Sequence, residues 1–132
     1  MSKILQPDGW VRPRGYSNGI LAQGRWLFVA GQIGWDSQER FTSDDFIEQA
    51  RQALKNTVAV LAAGGARPEH IVRMTWYIVD KQEYLSRQRE FGAAWREIIG
   101  AHYPAMAMVQ VAALIEDRAR VEVETTAVLP DA

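Results

Sequence analysis

The sequence predicts a single α+β domain in which one β-sheet carries two helices on one of its faces. The chain has 132 residues, a usual length for one domain. A chain of this size buries about two-thirds of its unfolded surface and needs no disulfide or metal to fold. Four or five strand-like segments accompany only two helix-like ones, in the order ββαβαββ. No linker, repeat or low-complexity tract divides residues 1–132, so we expect one sheet and one helical layer.

The first half of the chain changes from strand-like to helix-like periodicity. Residues 19–22 and 26–33 are short apolar runs on either side of a glycine-containing turn, which predicts a β-hairpin. Residues 44–63 carry apolar side chains at intervals of three or four, which predicts a helix with one apolar face. Asp45 and Glu48 resemble a capping box at its start.

The second half repeats the alternation of strands and helices. Residues 70–80 alternate apolar and polar side chains, as a strand buried on one face does. Residues 82–99 have a helical apolar stripe that Gly100 ends. Residues 105–114 and 119–129 predict two further strands.

A sheet covered on one side leaves its other face open, and here that face is not fully polar. In the last strand apolar and polar side chains alternate from Val121 to Ala127, and the strand at 105–114 has apolar residues on both faces. An exposed apolar face of this size usually marks an interface. We therefore expect a homo-oligomer whose sheets meet.

Composition excludes several classes of site. The chain has no cysteine, which excludes disulfides, thiolate metal sites and a cysteine nucleophile. Its two histidines, His70 and His102, are far apart, which argues against a histidine metal site. A net charge of −1 without a basic run argues against nucleic acid as a partner. No segment is typical of a signal peptide or a membrane span, so we expect a cytoplasmic domain that binds no membrane.

Three polar features are candidates for a site, and each also has an ordinary structural interpretation. Gln88 interrupts an apolar helix stripe, either as a stripe-edge residue reaching water or as part of a site. Glu122 and Glu124 share one strand face, either as a solvated surface or with a carboxylate that activates water. Gly31 and Gly34 are either turn glycines or residues that let a ligand approach the backbone.

Six segments in this order and at this spacing resemble the RidA/YjgF family of reactive intermediate deaminases across nearly the whole chain. They are "GYSNGI" (15–20), "VAGQIGWD" (29–36), "QARQALKNTVAVLAAGGA" (49–66), "IVRMTWYIVD" (71–80), "YPAMAMVQVAAL" (103–114) and "VEVETTAV" (121–128). The resemblance implies a chorismate-mutase-like fold and a homotrimer with ligand clefts between subunits. It also implies hydrolysis of enamines and imines, such as 2-aminoacrylate, to keto acids and ammonia, without a metal or cofactor.

The resemblance also assigns residues to that site. Tyr16 corresponds to the family's tyrosine, although Gly15 replaces the usual proline before it. Ala30 stands where the family often has serine, and Gly31 follows it. Gln88 corresponds to a pocket asparagine and Glu122 to the glutamate that positions the water.

The strand at 105–114 holds the main departure from the family. Active members have an arginine that clamps the substrate carboxylate where this chain has Met106, and a frequent cysteine where it has Met108. Methionine supplies no charge-assisted hydrogen bond but forms an adaptable apolar surface. Arg14 is the candidate for a substitute clamp, and Arg73 is a second one.

Two functions of different classes therefore remain, with a third attached to the family by name. The first is an enamine or imine hydrolase whose substrate differs from small 2-imino acids, with aminomuconate-type deaminases as a related possibility. The second is a trimeric protein that binds a small apolar ligand without chemistry. Glu122 favours the hydrolase, whereas the missing arginine at Met106 favours the binding protein. The third is a ribonuclease, against which the acidic balance argues.

Overall fold

The computed structural model describes residues 2–131. Three helices and a short 3₁₀ turn at Pro68–His70 connect six strands. The strands are β1 (Ser2–Leu5), β2 (Gly19–Ala22), β3 (Arg25–Ile33), β4 (Ile71–Ile78), β5 (Ala105–Gln110) and β6 (Val121–Leu129). The helices are α1 (Phe46–Ala63), α2 (Lys81–Leu85) and α3 (Gln88–Ile98).

The main sheet has four strands in the order β3-β6-β4-β5. β6 pairs antiparallel with both of its neighbours, whereas β5 pairs parallel with β4 at the edge of the sheet. A separate antiparallel ribbon joins β1 and β2. The predicted α+β fold is confirmed, although its strands form a sheet and a ribbon rather than a single sheet.

The core lies between the main sheet and the helices. Apolar side chains of α1 and of the inward rows of β4 and β6 form one buried cluster, as the alternation in those strands predicted. Its largest fully buried members are Trp76, Phe46, Leu54, Leu61, Ile71, Met74, Ile78, Val121 and Val123.

The start of α1 follows the prediction in part. The side chain of Asp45 accepts a hydrogen bond from the backbone N–H of Glu48 at 3.1 Å, which is the N-cap half of a capping box. The helix ends at Ala63, and Gly64 caps it.

The predicted hairpin between residues 19–22 and 26–33 is wrong. β2 pairs with β1, a strand that the sequence reading did not identify, and β3 pairs with β6. Only Gly24 of the two connecting residues has a positive φ. Because the primed hairpin turns need a positive φ at the first central residue, which is Gln23, this connection cannot close a two-residue hairpin.

The predicted helix over residues 82–99 is two helices, because the chain breaks at Ser86 and Arg87. The Ser86 hydroxyl donates to the carbonyl of Gln82 at 2.7 Å, and the backbone of Arg87 leaves the helical region. The Arg87 guanidinium contacts Asp45 at 2.6 Å and Glu90 at 2.7 Å. This network ties the break to the start of α1.

Two predicted strand lengths also change. β5 ends at Gln110 rather than at residue 114, because its partner β4 ends at Ile78 and one last bond joins Val111 N–H to the Ile78 carbonyl. β6 begins at Val121 rather than at residue 119.

The face of the main sheet turned away from the helices, here called the open face, is part apolar and part polar. Trp26 and Phe28 of β3 are 64% and 70% exposed there. The outward row of β6 is mostly polar, with Glu122 and Glu124. The exposed apolar surface therefore comes from β3. Within residues 2–131, none of the helices has both the length and the hydropathy of a membrane span.

Replacing Asp45 by asparagine tests the network at the helix break. The hydrogen bond from Arg87 lowers the pKa of Asp45 below its ordinary value of 3.8, with a further contribution from the Glu48 N–H. A lowered folded-state pKa stabilises the fold above the unfolded pKa, and this contribution disappears as pH falls through the lowered value. We expect Asp45→Asn, which keeps the N-cap, to be less stable than wild type near neutral pH, and we expect this difference to disappear as the pH falls through the lowered pKa of Asp45.

Urea unfolding across that pH range measures the difference. Glu90→Gln is the control, because Glu90 bonds the same guanidinium from a more exposed position and should show a smaller gap. A gap for Asp45→Asn that does not change with pH would contradict the charge-based explanation.

Candidate functional site

A hollow of about 510 Å³ lies between α3 and the free edge of β5, and we call it the α3–β5 hollow. Its volume is within the range of small-molecule sites. It is lined by Arg14, Gly15, Tyr16, Trp76, Tyr84, Gln88, Phe91, Gly92, Trp95, Arg96, Tyr103, Met106, Ala107 and Met108. Five of the eight residues predicted for the site are among them: Arg14, Tyr16, Gln88, Met106 and Met108.

The floor of the hollow follows from the register of β5. Met106 lies beside Met74, and Met108 lies beside Trp76, whose side chains are buried on the helix side of the sheet. The two methionines therefore face the helices, and both are partly buried against the core. The floor is thioether and indole, with no charged group.

One lip of the hollow is the segment before β2. Ser17 forms a parallel bridge to Ala105, its N–H donates to the carbonyl of Pro104 at 3.0 Å, and its hydroxyl donates to the carbonyl of Tyr103. These bonds hold the preceding Tyr16 and Arg14 against the free edge of β5.

Aromatic side chains form the walls. Phe91 meets Trp76 and Tyr84 edge to face, with ring centroids 5.0 Å and 5.3 Å apart. Trp95 stacks on Tyr103 at 6.3 Å, and its indole N–H donates to the carbonyl of His102 at 3.1 Å. The walls are thus held by their own packing and are formed before any ligand enters.

Two arginines give the hollow its charge. Its lining contains Arg14 and Arg96 but no aspartate or glutamate. Arg96 is absent from the residues that the sequence predicted. The spacing of residues in the sequence could have identified it. Gln88, Gly92 and Arg96 follow one another every four residues and therefore share one side of α3.

Glu122, Ala30 and Gly31 lie outside this hollow. Val29 pairs with Thr125 and Gln32 pairs with Val123, so a β-bulge at Ala30 and Gly31 interrupts the pairing of β3 and β6. A Cβ built on Gly31 would overlap the carboxylate of Glu122. Because glycine has no side chain, the Glu122 carboxylate can lie beside the bulge. Among residues 2–131 the carboxylate has no hydrogen-bond partner.

Glu124, two residues along β6, is in a different situation. Tyr77 donates its hydroxyl proton to Glu124 Oε1 at 2.6 Å. That bond, more than desolvation, raises the pKa of Tyr77 above its ordinary value of 10.0. Glu124, Ala30 and Arg73 border a second hollow, on the open face. Arg73 therefore lies away from Met106 and is not placed to replace the family's clamp within one chain.

The predicted site residues thus form two groups on opposite faces of the sheet. Met106 lies on the edge strand β5, whereas Gly31 lies on β3 at the other edge. Three strand spacings separate those edges, which is about 14 Å. One chain alone does not bring Glu122 to the α3–β5 hollow.

Two side-chain amides of α1 hold the segments that flank Glu122 and Gly31. Asn56 of α1 donates to the carbonyls of Ile33 and Trp35 at 3.2 Å and 2.7 Å, which fixes the end of β3. Gln49, which is 1% exposed, donates to the Arg118 carbonyl and accepts from the Arg120 N–H, which fixes the start of β6.

Comparison with known proteins identifies the family. The family model described as endoribonuclease L-PSP matches residues 11–129. A RutC family protein from Synechocystis is 35% identical over 130 residues, which are 97% of each chain. The human 2-iminobutanoate/2-iminopropanoate deaminase is 32% identical over 114 residues, covering 86% of this chain and 79% of that one. This chain belongs to the RidA/YjgF family.

Solved structures of RidA/YjgF proteins have the same fold. A Rid family protein of unknown function from Yersinia pestis superposes with a TM-score of 0.85 at 27% identity, covering 97% of this chain and 98% of that one. The YjgF protein of Escherichia coli gives a TM-score of 0.70 at 30% identity, covering 86% and 87%. The family resemblance and the chorismate-mutase-like fold expected from it are confirmed.

Two glycines of this RidA/YjgF chain, three residues apart, should respond differently to substitution. A Cβ on Gly34 would lie 2.7 Å from the Cα of Gln49, so Gly34→Ala must displace the helix backbone. We expect a loss of about 2 to 4 kcal/mol in the free energy of unfolding. The three atoms nearest to a Cβ on Gly31 would all belong to the Glu122 side chain, which can rotate away, so Gly31→Ala should cost under about 1 kcal/mol.

Chemical denaturation of both variants measures this difference. Similar losses at the two positions would show that the Glu122 carboxylate is held rigidly against Gly31. A tolerated Gly34→Ala would contradict the packing of α1 on β3.

Proposed function

We propose that this chain hydrolyses the C=N bond of a reactive imine or enamine in a cleft shared by two copies of the chain. The observation that carries the proposal is the unpaired Glu122 carboxylate beside Gly31, at the position where the family resemblance puts the water-positioning glutamate. The relatives named 2-iminobutanoate/2-iminopropanoate deaminase support the reaction class.

The chemistry needs one base and a way to hold the substrate. Glu122 accepts a proton from water as the water oxygen attacks the imine carbon. The resulting carbinolamine then loses ammonia and leaves a carbonyl group. Positioned general-base catalysis of this kind typically contributes about 10² to 10⁴ in rate. Tyr16 and Gln88 at the α3–β5 hollow offer hydrogen bonds to the bound molecule.

A second copy of the chain would bring a Glu122 carboxylate to the α3–β5 hollow, which one chain alone does not do. The Glu122 group and the α3–β5 hollow lie on opposite faces of the sheet, so the open face of one subunit must meet the β5 edge of another. Trp26 and Phe28 support this contact, because both are largely exposed on the open face that carries Glu122. We propose the homotrimer of the family as the assembly.

The substrate differs from the small 2-imino acids. Met106 supplies no clamp for a carboxylate at the floor of the hollow. The aromatic walls and the two methionines instead suit a larger apolar group.

A ligand-binding protein without catalysis is the second candidate. It is favoured by the lining of the α3–β5 hollow, in which no side chain is a carboxylate or an activated nucleophile. Ribonuclease activity has less support. Arg51, Arg87 and Arg120 each contact a carboxylate, so they form no free basic stripe for a phosphate backbone.

Light scattering after size exclusion tests the assembly. We expect about three times the chain mass of 14.9 kDa at micromolar concentration. Phe28→Glu places a charge on the exposed apolar surface of β3 and should shift the protein toward monomer while leaving its circular dichroism unchanged. Val60→Glu, on the exposed side of α1, is the matched control and should stay assembled. A monomeric wild type would contradict the shared cleft.

Glu122→Gln tests the catalytic base. The variant keeps shape and hydrogen bonding, so it should fold, assemble and bind as wild type does, and it should lose about 10² to 10⁴ in turnover. Rates are measured on imines that an amino-acid oxidase generates in the assay. Glu124→Gln is the control, because its amide oxygen still accepts the Tyr77 hydrogen bond. If both variants behave alike, or if wild type hydrolyses no imine in a broad panel, the binding-protein function takes the place of the enzyme.

A further inference from the structure

One side of α3 presents an arginine to the α3–β5 hollow from a position where no anchor was expected. Gln88, Gly92 and Arg96 lie on successive turns and all line the hollow. A Cβ on Gly92 would lie 3.4 Å from Nη1 of Arg96. The guanidinium therefore folds back along the helix over the glycine, on the side of α3 that lines the hollow.

The charge of Arg96 is not used within the chain. Among the described residues 2–131 it contacts no carboxylate. Arg87, which lies just before the first residue of α3, contacts both Asp45 and Glu90. The carboxylate next to Arg96 in sequence, Glu97, is engaged by Arg51 of α1. The neighbouring acid is thus turned toward another helix.

Arg14 also lines the hollow and is likewise without a carboxylate partner among residues 2–131. Both arginines are exposed, so they lie on the solvent side of the hollow, here called its mouth. The lining therefore carries two positive charges and no negative one, in a chain whose net charge is −1. Beneath these charges the floor and walls are indole, phenyl and thioether. Such a site complements an anion with a large apolar body.

We propose that Arg96, assisted by Arg14, holds the carboxylate of a 2-imino acid with an aromatic side chain. This inference rests on the proposed function. The carboxylate lies at the mouth, and the aromatic ring lies over Met106 and Met108 among Trp76 and Phe91. An arginine at position 106 would instead rise from the floor and fill the space that the ring takes. The carboxylate anchor is thus on α3 in this chain, whereas the family's arginine is on the strand that corresponds to β5. This position leaves room for a larger substrate.

The reaction balances without a cofactor. The imino acid R–C(=NH₂⁺)–COO⁻ and water give R–CO–COO⁻ and NH₄⁺, with the C=N bond broken and a C=O bond formed. The supplying reaction must be a two-electron oxidation of an aromatic amino acid at its C–N bond. The product is the aromatic 2-keto acid.

Arg96→Met tests the anchor in steady-state assays on 2-imino acids that an L-amino-acid oxidase generates from phenylalanine or alanine. Wild type should prefer the phenylalanine-derived imine. The variant should raise KM for that imine about 10- to 100-fold with little change in kcat, which is the usual size of a lost charge-assisted hydrogen bond. Arg96→Lys should recover part of the loss, because it restores the charge without the planar fork.

The matched control is Arg89→Met, because Arg89 is also exposed on α3 and does not line the hollow. Its KM should equal that of wild type. Thermal unfolding of all three variants should match wild type, since both arginines are exposed and make no ion pair with residues 2–131.

Binding of phenylpyruvate, measured by calorimetry, separates this inference from the proposed function. Wild type should bind it, and Arg96→Met should bind about 10-fold or more weakly, whether or not any imine is hydrolysed. Hydrolysis by wild type with an unchanged KM in Arg96→Met overturns the anchor and leaves the proposed function standing. A preference of wild type for the alanine-derived imine overturns the substrate class. Phenylpyruvate binding that depends on Arg96 without imine hydrolysis overturns the enzyme and keeps the anchor.

Discussion

Parallel pairing of β5 with β4 at the edge of the sheet determines where a ligand can lie. The register puts Met106 beside Met74 and Met108 beside Trp76, so the thioethers face the helices. A slip of one residue would turn Ala105 and Ala107 inward and remove the floor. Within residues 2–131 no strand of the sheet covers the outer side of β5, and Ser17 bridges part of that edge instead. One pairing therefore gives the α3–β5 hollow both its floor and the lip that carries Tyr16.

Arg87, which precedes α3, and Arg96, which lies within it, show that the same residue type can serve the fold at one position and remain free for a ligand at another. Arg87 is satisfied by Asp45 and Glu90, and its contacts fix the break from which α3 starts. Arg96 lies over Gly92 without such a partner among residues 2–131. A paired guanidinium already donates its N–H groups to carboxylates of the chain, whereas an unpaired one beside a hollow can donate them to a ligand. The difference depends on which carboxylates lie near each guanidinium, and residue type alone does not reveal it.

The sequence pattern predicted the strands and helices whose period is set by burial of one face. It did not predict features that depend on contacts between distant segments, such as strand pairing and the helix break. Alternation in β4 and β6 and the helical period of α1 identified those elements, because burial of one face fixes the period. The partner of β2 was wrong, since it depends on the φ of Gln23, which a glycine-containing turn motif does not specify. The break in the second helix needs Asp45, forty-two residues away from Arg87. The family resemblance gave no role to Arg96, although it assigned four residues that line the same hollow: Tyr16, Gln88, Met106 and Met108.

Keeping Glu122 and the arginines on opposite faces of the sheet has an electrostatic consequence. A carboxylate in contact with a guanidinium holds its proton less tightly and is a weaker base. If Arg14 or Arg96 faced Glu122 within one chain, the two would form an ion pair, as Arg87 does with Asp45. In the proposed assembly the base and the anion anchor come from different subunits, and a substrate carboxylate that enters the cleft takes the place of Glu122 as the partner of the arginines. In such a cleft the bound anion satisfies the guanidinium groups, and Glu122 remains free to take a proton from water.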